Sequence, residues 1–161
     1  MIALGIDPGT RRIGYGVVDQ RQGVTTYVTA GIFKITAQED IAALQETKEE
    51  IDRLIEQYHP DAVAVERLFF SKNKKTALAV AQSRGVILLA LKEHGVPIVE
   101  YTPNEVKMGV TGFGSADKKA VLKMVQLILK KNDLRVIDDA SDALALAIFC
   151  SGDPLVKNLR V

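Results

Sequence analysis

Apolar residues recur along this chain with two periods, and the change between them separates strands from helices. Apolar or alternating stretches of strand length predict strands at Ile2–Asp7, Ile13–Asp19, Val24–Ile35, Ala62–Val65 and Val96–Tyr101. The first three have short connections, which favours an antiparallel meander. The fourth is apolar at every position, which is typical of a strand buried on both faces.

After the third predicted strand, the apolar residues recur at the spacing of a helix. Apolar positions three, four and seven apart predict an amphipathic helix over Glu39–Tyr58, ended by Pro60. Further helices are predicted at Lys72–Glu93, Pro103–Val110, Ala116–Lys131 (with Ser115 as its N-cap) and Asp138–Cys150. Three antiparallel strands followed by alternating strands and helices predict an α/β fold. Its five-stranded mixed sheet would carry helices on both faces. This order of elements resembles the ribonuclease-H-like arrangement.

The length of 161 residues predicts one domain, residues 1–152, followed by a C-terminal tail, residues 153–161. Apolar residues are 47% and charged residues 25% of the chain, as in ordinary soluble proteins. The single cysteine, Cys150, excludes a disulfide framework within the chain. Because the sequence shows neither a signal peptide nor an apolar run long enough for a membrane span, we expect a cytoplasmic protein without membrane contact.

The net charge of +1 conceals two opposed regions. Residues 39–66 contain nine acidic and two basic residues, whereas residues 67–131 contain twelve basic and four acidic ones. Such asymmetry indicates contact with nucleic acid. The alternative interpretation is that these are solvated helix faces of opposite sign.

Four carboxylates stand beside apolar segments instead of on solvated helix faces. Asp7 and Glu66 each follow an apolar strand, and Asp139 and Asp142 lie three residues apart at the start of the Ala- and Leu-rich helix. Carboxylates gathered in a crevice at strand ends repel one another unless a cation is present. Their hard oxygen ligands suit Mg²⁺, with Mn²⁺ as a substitute, and two such ions can promote phosphodiester hydrolysis.

Each carboxylate also has a structural interpretation. Asp7 can cap the turn at Pro8-Gly9, and Glu66 can pair with Arg67 or Lys72. Asp139 fits the first turn of a helix, where the dipole favours an acid. These interpretations do not account for the shared position of the acids beside apolar segments.

Two basic segments accompany the acids. The first contains two aromatic residues, either of which can instead belong to the core, and three lysines: Phe69, Phe70, Lys72, Lys74 and Lys75. The second follows the glycines of Gly112-Phe113-Gly114 and places Lys118 and Lys119 at a helix start, with Lys107 upstream. Lysines at a helix N-terminus oppose its dipole, which indicates an external anion such as phosphate.

Several motifs in order resemble those of one family. They are Ala3-Leu4-Gly5-Ile6-Asp7-Pro8-Gly9-Thr10, Gly14-Tyr15-Gly16-Val17-Val18, Val65-Glu66-Arg67-Leu68-Phe69, Lys72-Asn73, Gln82-Ser83-Arg84-Gly85, Val106-Lys107, Gly112-Phe113-Gly114-Ser115-Ala116-Asp117-Lys118 and Asp139-Ala140-Ser141-Asp142-Ala143-Leu144-Ala145. Together they resemble the RuvC-type Holliday-junction resolvases.

The resemblance implies a homodimeric, metal-dependent endonuclease that makes paired symmetric nicks in four-way DNA junctions during recombination and repair, leaving 5′-phosphate and 3′-hydroxyl ends. It implies that Asp7, Glu66, Asp139 and Asp142 hold Mg²⁺ or Mn²⁺, and that Lys107 and Lys118 act beside the scissile phosphate. Phe69 matches an aromatic residue that contacts bases. The resemblance also implies work beside the RuvA–RuvB branch-migration complex. The apolar helix over Thr76–Leu91 is the candidate dimer interface, unless it is simply buried within one subunit.

Three other functions compete with this hypothesis. A YqgF-type nuclease shares the first motif, Gly5–Thr10, and would prefer single-stranded RNA. Actin-like ATPases and sugar kinases share a similar phosphate loop but need two domains, for which 161 residues are too few. The third alternative is a non-catalytic junction-binding protein whose carboxylates stabilise the fold.

Overall fold

A computed structural model of the chain describes residues 1–67 and 74–158, without the side chains of residues 74–76, 157 and 158. The strands in this part of the chain are β1 (Ile2–Asp7), β2 (Arg12–Arg21), β3 (Val24–Lys34), β4 (Ala62–Glu66) and β5 (Ile98–Tyr101). The helices are α1 (Asp40–Tyr58), α2 (Lys74–Glu93), α3 (Pro103–Thr111), α4 (Lys118–Ile128), α5 (Asp138–Gly152) and α6 (Pro154–Asn158).

The five strands form one mixed sheet in the order β3-β2-β1-β4-β5. Strands β1, β2 and β3 pair antiparallel, whereas β4 is parallel to both β1 and β5. The turn between β2 and β3 consists of Gln22 and Gly23, both with positive φ, which suits a two-residue hairpin connection. The predicted α/β fold with a five-stranded mixed sheet is confirmed.

Helices cover both faces of the sheet, and the alternation of side chains along each strand divides the core in two. On β4, Val63 and Val65 pack with α1 and α2, whereas Ala62 and Ala64 pack with α3, α4 and α5. On β1, Leu4 and Ile6 belong to the first of these layers. The same alternation turns Gly5 towards α5, and with it the next residue of that face, Asp7.

Helix α5 lies unusually close to the sheet because glycine stands beneath it. A Cβ atom added at Gly5 would lie 2.0 Å from the main-chain oxygen of Ala143, and one at Gly14 would lie 2.1 Å from that of Asp139. Atoms cannot approach so closely without a shift of the backbone, so any side chain here would displace the helix. The glycines of β1 and β2 therefore set the distance between α5 and the strands.

One predicted helix start is wrong, and the structure contains one helix that the sequence did not predict. The helix expected to begin at Ala116 begins at Lys118, and Asp117 is its N-cap instead of Ser115, with its carboxylate accepting a hydrogen bond from the Ala120 amide at 2.8 Å. At the C-terminus, where the sequence predicts a tail, Pro154–Asn158 forms α6. Val156 is buried in the core, so ordered packing continues past residue 152.

The single cysteine is buried, as its apolar surroundings predicted. Burial raises the pKa of the Cys150 thiol to about 12, which keeps it protonated near neutral pH. Across the part of the chain that the structure describes, the helices lack the combined length and apolar character that a membrane span needs.

We expect Gly5→Ala to lower the free energy of unfolding by about 2 kcal/mol or more, because the added methyl group meets the Ala143 carbonyl. Chemical denaturation measures this change. Gly152→Ala is the matched control, since a Cβ atom there has no neighbour within 4 Å and the same substitution should be nearly neutral. Equal stability of the two variants would contradict the close approach of α5.

Candidate active site

Two acids meet at the end of the parallel strand pair. Asp7 is the last residue of β1 and Glu66 is the last residue of β4. Because Ile6 pairs with Val65 in a parallel register, the two strands end side by side at one edge of the sheet. Asp7 and Glu66 both lie on the face that α5 covers, where Glu66 lines a cleft together with Asp142.

Helix α5 brings the other two acids to this edge. Asp139 lies in its first turn and Asp142 one turn further on. The close contact between Gly14 and the main chain of Asp139 holds this turn against β2, whose Gly14 is paired with Asp7. The structure therefore gathers all four predicted acids at the edge of the sheet from β1, β4 and α5.

The acids perturb one another. The pKa of Asp7 is raised to about 8, first by burial and then by the negative charges of Glu66, Asp142 and Asp139. The pKa of Glu66 is also raised, again by burial and then by Asp142. Carboxyl groups whose pKa is raised by burial and by neighbouring negative charges are typical of functional sites.

Two lysines face the acids. Lys107 on α3 and Lys118 on α4 line the cleft of about 180 Å³ that Glu66 and Asp142 share. The ammonium nitrogen of Lys118 lies 3.2 Å from a carboxylate oxygen of Asp142 and 3.7 Å from one of Asp138. Partial burial lowers the pKa of Lys118, but the hydrogen bond and charge of Asp142 outweigh it and the net shift is upward. Lys118 therefore stays charged beside the acids.

One basic residue of the site was absent from the sequence prediction. Arg12, the first residue of β2, has a guanidinium nitrogen 3.0 Å from a carboxylate oxygen of Asp139. Its only sequence signal is its position just after the turn that follows Asp7. Since the pair forms only when α5 packs across β2, local sequence patterns could not identify it.

The oxygen atoms of the four acids are the kind of ligand that a divalent cation prefers, but their positions in this structure do not form a coordination site. Among the described residues, no group of three His, Cys, Asp or Glu side chains stands close enough to hold an ion. Instead Lys118 contacts Asp142 and Arg12 contacts Asp139, and both basic side chains are more than half exposed, at 64% and 51%. Oxygen donors with uncompensated negative charge suit Mg²⁺ once these two side chains turn towards solvent.

The remaining predicted residues divide into two groups. Phe69, Phe70 and Lys72 lie outside the described residues, and Lys74 and Lys75 begin α2 with side chains that are not described. Lys119 is exposed on the first turn of α4 and is not among the residues that line the cleft. The roles of these residues in DNA binding stay predictions.

The sheet order, the helices on both faces and the acids at the ends of β1 and β4 define a ribonuclease-H-like protein. Residues 3–150 match the family model described as Crossover junction endodeoxyribonuclease RuvC. A relative of that name from Moorella thermoacetica is 49% identical over 92% of this chain and 89% of its own. Another from Roseiflexus sp. is 47% identical over 90% of this chain and 87% of its own.

A solved structure agrees. Thermus thermophilus RuvC in complex with a Holliday junction substrate is 31% identical, superposes with a TM-score of 0.87, and matches 94% of this chain and 93% of its own. The chain belongs to the RuvC family of crossover junction endodeoxyribonucleases.

The acid cluster makes a prediction for the metal-free protein. Because the pKa of Asp7 is raised on folding, its folded form keeps a proton that the unfolded chain loses above about pH 4, so stability falls as pH rises from about 4 to about 8. In EDTA, we expect Asp7→Asn to melt roughly 5 °C or more above the parent at pH 8, with a smaller difference at pH 5. Thermal melting at both pH values checks this.

Asp40→Asn is the matched control for this experiment, since Asp40 is exposed beside Arg11 on another part of the surface. A melting temperature of Asp7→Asn that equals the parent's at pH 8 would mean that burial and the neighbouring acids do not raise the pKa of Asp7 as the structure indicates.

Proposed function

We propose that this chain is a metal-dependent endonuclease that resolves four-way DNA junctions by hydrolysing one phosphodiester bond in each of two strands. The observation that carries the proposal is the convergence of Asp7, Glu66, Asp139 and Asp142 at one sheet edge, in a member of a family of crossover junction endodeoxyribonucleases. The family is one of metal-dependent nucleases. The Holliday junction bound by the Thermus thermophilus relative supports the choice of substrate.

The four acids are the proposed ligands of Mg²⁺, for which Mn²⁺ substitutes, and we propose two ions per site. When bound, such ions supply an activated water and stabilise the leaving oxygen of the phosphodiester. The chain's own contribution is to hold carboxylates ready at a sheet edge. Burial and then the neighbouring acids raise the pKa of Asp7, and a divalent cation would offset both effects.

Lys118 and Lys107 are proposed to bind the scissile phosphate. Both line the cleft with Glu66 and Asp142, and the contact of Lys118 with Asp142 shows that its ammonium group reaches the acids. A cation at this place is attracted to a phosphate when metal occupies the acids. Lys118 is then positioned to stabilise negative charge that develops during hydrolysis.

The distribution of charge between the two faces supports DNA contact at the same edge. The acidic helix α1 packs with α2 on one face of the sheet, whereas Lys107 and Lys118 lie on the other face beside the acids. The near-neutral total is therefore compatible with a locally basic DNA surface. The proposed contacts of Phe69, Phe70, Lys72, Lys74, Lys75 and Lys119 rest on their sequence pattern.

The exposed side of α2 supports a homodimer. Leu78 and Leu89, which are 70% and 55% exposed, lie eleven residues apart and so project from one side of the helix. Gln82 and Gly85 stand between them and are exposed too. Apolar residues at both ends and glycine in the middle permit close approach of a second α2. A two-fold dimer would present two active sites to a junction of matching symmetry.

The contribution of RuvA–RuvB and the cytoplasmic location stay predictions from the resemblance and from composition.

The central test uses Asp7→Asn. We expect the variant to bind a synthetic four-way junction in Ca²⁺ about as tightly as the parent, yet to lose at least 100-fold in single-turnover cleavage in Mg²⁺, because a metal ligand is gone. Mapped nicks on labelled strands and gel-shift affinities measure the two effects. Asp40→Asn is the control, with parent rates expected. Cleavage by Asp7→Asn at the parent rate would disprove the metal mechanism, and preferential cutting of single-stranded RNA by the parent would favour the YqgF-type alternative.

A second test concerns the dimer. We expect the double variant Leu78→Glu with Leu89→Glu to be a monomer at micromolar concentration. Two glutamates from each subunit would place four buried negative charges at the proposed contact between the α2 helices. Analytical ultracentrifugation gives the mass, and Leu155→Glu, at an exposed apolar residue on α6, is the control. The double variant should nick junctions singly instead of in pairs. An unchanged dimer mass would move the interface away from this side of α2.

A further inference from the structure

The inward side of α2 contacts the main chain at Glu66 and in the loop that follows Asp7. Ser83 donates a hydrogen bond from its hydroxyl to the Gly9 carbonyl at 2.8 Å, and Arg84 donates from Nε to the Glu66 carbonyl at 3.2 Å. Gly9 follows Asp7 by two residues. Two adjacent residues of one helix therefore hold the loop after Asp7 and the backbone of Glu66.

The Glu66 carbonyl lies beyond the last residue pair of β1 and β4 and accepts its hydrogen bond from Arg84 instead. The Arg67 amide donates to the Tyr101 carbonyl on β5 at 2.7 Å, and in a planar trans peptide the adjoining Glu66 carbonyl points the opposite way, towards β1. The pairing of β4 with β1 ends one residue earlier, at Ile6 and Val65. Arg84 supplies a donor where the sheet supplies none.

Arg84 is itself held in place. Its terminal nitrogen lies 2.5 Å from a carboxylate oxygen of Glu100 on β5, and its side chain is only 17% exposed. The planar guanidinium group thus links Glu100 to Glu66 with two of its donors in fixed relation. Ser83 is fully buried, so its hydroxyl has a similarly fixed position.

The side chain and the main chain of Glu66 are contacted from opposite faces of the sheet. Its carboxylate lies in the cleft with Asp142, Lys107 and Lys118, on the α5 side. Its carbonyl is held by Arg84 from the α2 side. A shift of the Glu66 backbone would carry the carboxylate with it, so the hydrogen bond from Arg84 controls where the carboxylate stands relative to Asp7.

We propose that Ser83 and Arg84, with Glu100 supporting Arg84, are positioning residues that set the separation of the Asp7 and Glu66 carboxylates for metal binding. The inference rests on the proposed function in that it takes these two acids as metal ligands. Each acts through the main chain beside an acid, and the proposed role requires neither to contact the metal or the DNA. Outer groups that orient metal ligands in this way typically contribute about 10- to 100-fold to metal affinity or activity.

The experiment measures metal binding and cleavage separately. Mn²⁺ alone is titrated into the DNA-free protein by calorimetry, and single-turnover junction cleavage is followed against Mn²⁺ concentration. We expect Arg84→Gln to weaken Mn²⁺ binding about 10-fold or more and to raise the Mn²⁺ concentration for half-maximal cleavage in parallel. Junction affinity in Ca²⁺ should stay within about two-fold. Arg84→Lys, which keeps the charge but offers a single donor nitrogen in place of the planar guanidinium, should recover part of the loss.

Two further variants address a general loss of folding. Glu100→Gln removes the support of Arg84 while keeping the guanidinium group, and Ser83→Ala removes the second contact; each should weaken Mn²⁺ binding less than Arg84→Gln does. Arg53→Gln is the matched control, because Arg53 pairs with Glu50 on exposed α1 and touches none of these residues. It should bind Mn²⁺ like the parent.

The proposal is overturned if folded Arg84→Gln binds Mn²⁺ and cleaves with parent metal dependence. It is also overturned if Arg84→Gln fails to fold and Glu100→Gln and Ser83→Ala both bind Mn²⁺ like the parent. A parent protein that binds Mn²⁺ at Asp7 and Glu66 but cuts no junction would instead refute the proposed function. In that case the Mn²⁺ titrations of the variants still decide the positioning role.

Discussion

The close seat of α5 on the glycines of β1 and β2 is the contact on which the rest of the site depends. An Ala- and Leu-rich helix packs against a sheet surface that has no side chains at Gly5 and Gly14, so its backbone approaches the strands directly. That approach brings the first turns of α5 to the end of β1. The charges of Asp139 and Asp142 act on Asp7 because nothing larger than hydrogen stands between helix and strand at Gly5 and Gly14.

Placing these acids close together costs free energy because their negative charges repel one another. The rigid apolar layers of the fold hold them in place against this repulsion. Asp7 and Glu66 extend from strands whose other residues are almost wholly buried, so neither can withdraw from its neighbours. Lys118 and Arg12 offset part of the repulsion by contacting Asp142 and Asp139. In the proposed function, a divalent cation held by these acids would remove the repulsion that folding creates.

The two faces of the sheet have different tasks. The α5 face carries the acids and the lysines of the cleft, whereas the α2 face holds the strand ends in place through Ser83 and Arg84. The outward side of the same helix carries Leu78 and Leu89, the exposed apolar residues of the proposed dimer contact. One helix thus stands between the proposed subunit contact and the backbone of two proposed metal ligands, which ties assembly and active-site geometry to a single element.

The sequence by itself determined the strands, most helices and the four acids, because apolar periodicity and strand-end positions such as those of Asp7 and Glu66 are local properties. It missed the N-cap Asp117, since Ser115 and Asp117 are both good caps and a local pattern does not distinguish them. Only the tertiary structure decided that Arg12 pairs with Asp139 and that Arg84 joins Glu100 to the Glu66 carbonyl. Those contacts join residues from separate elements, and only the packing of α5 and α2 against the sheet brings them within hydrogen-bond distance.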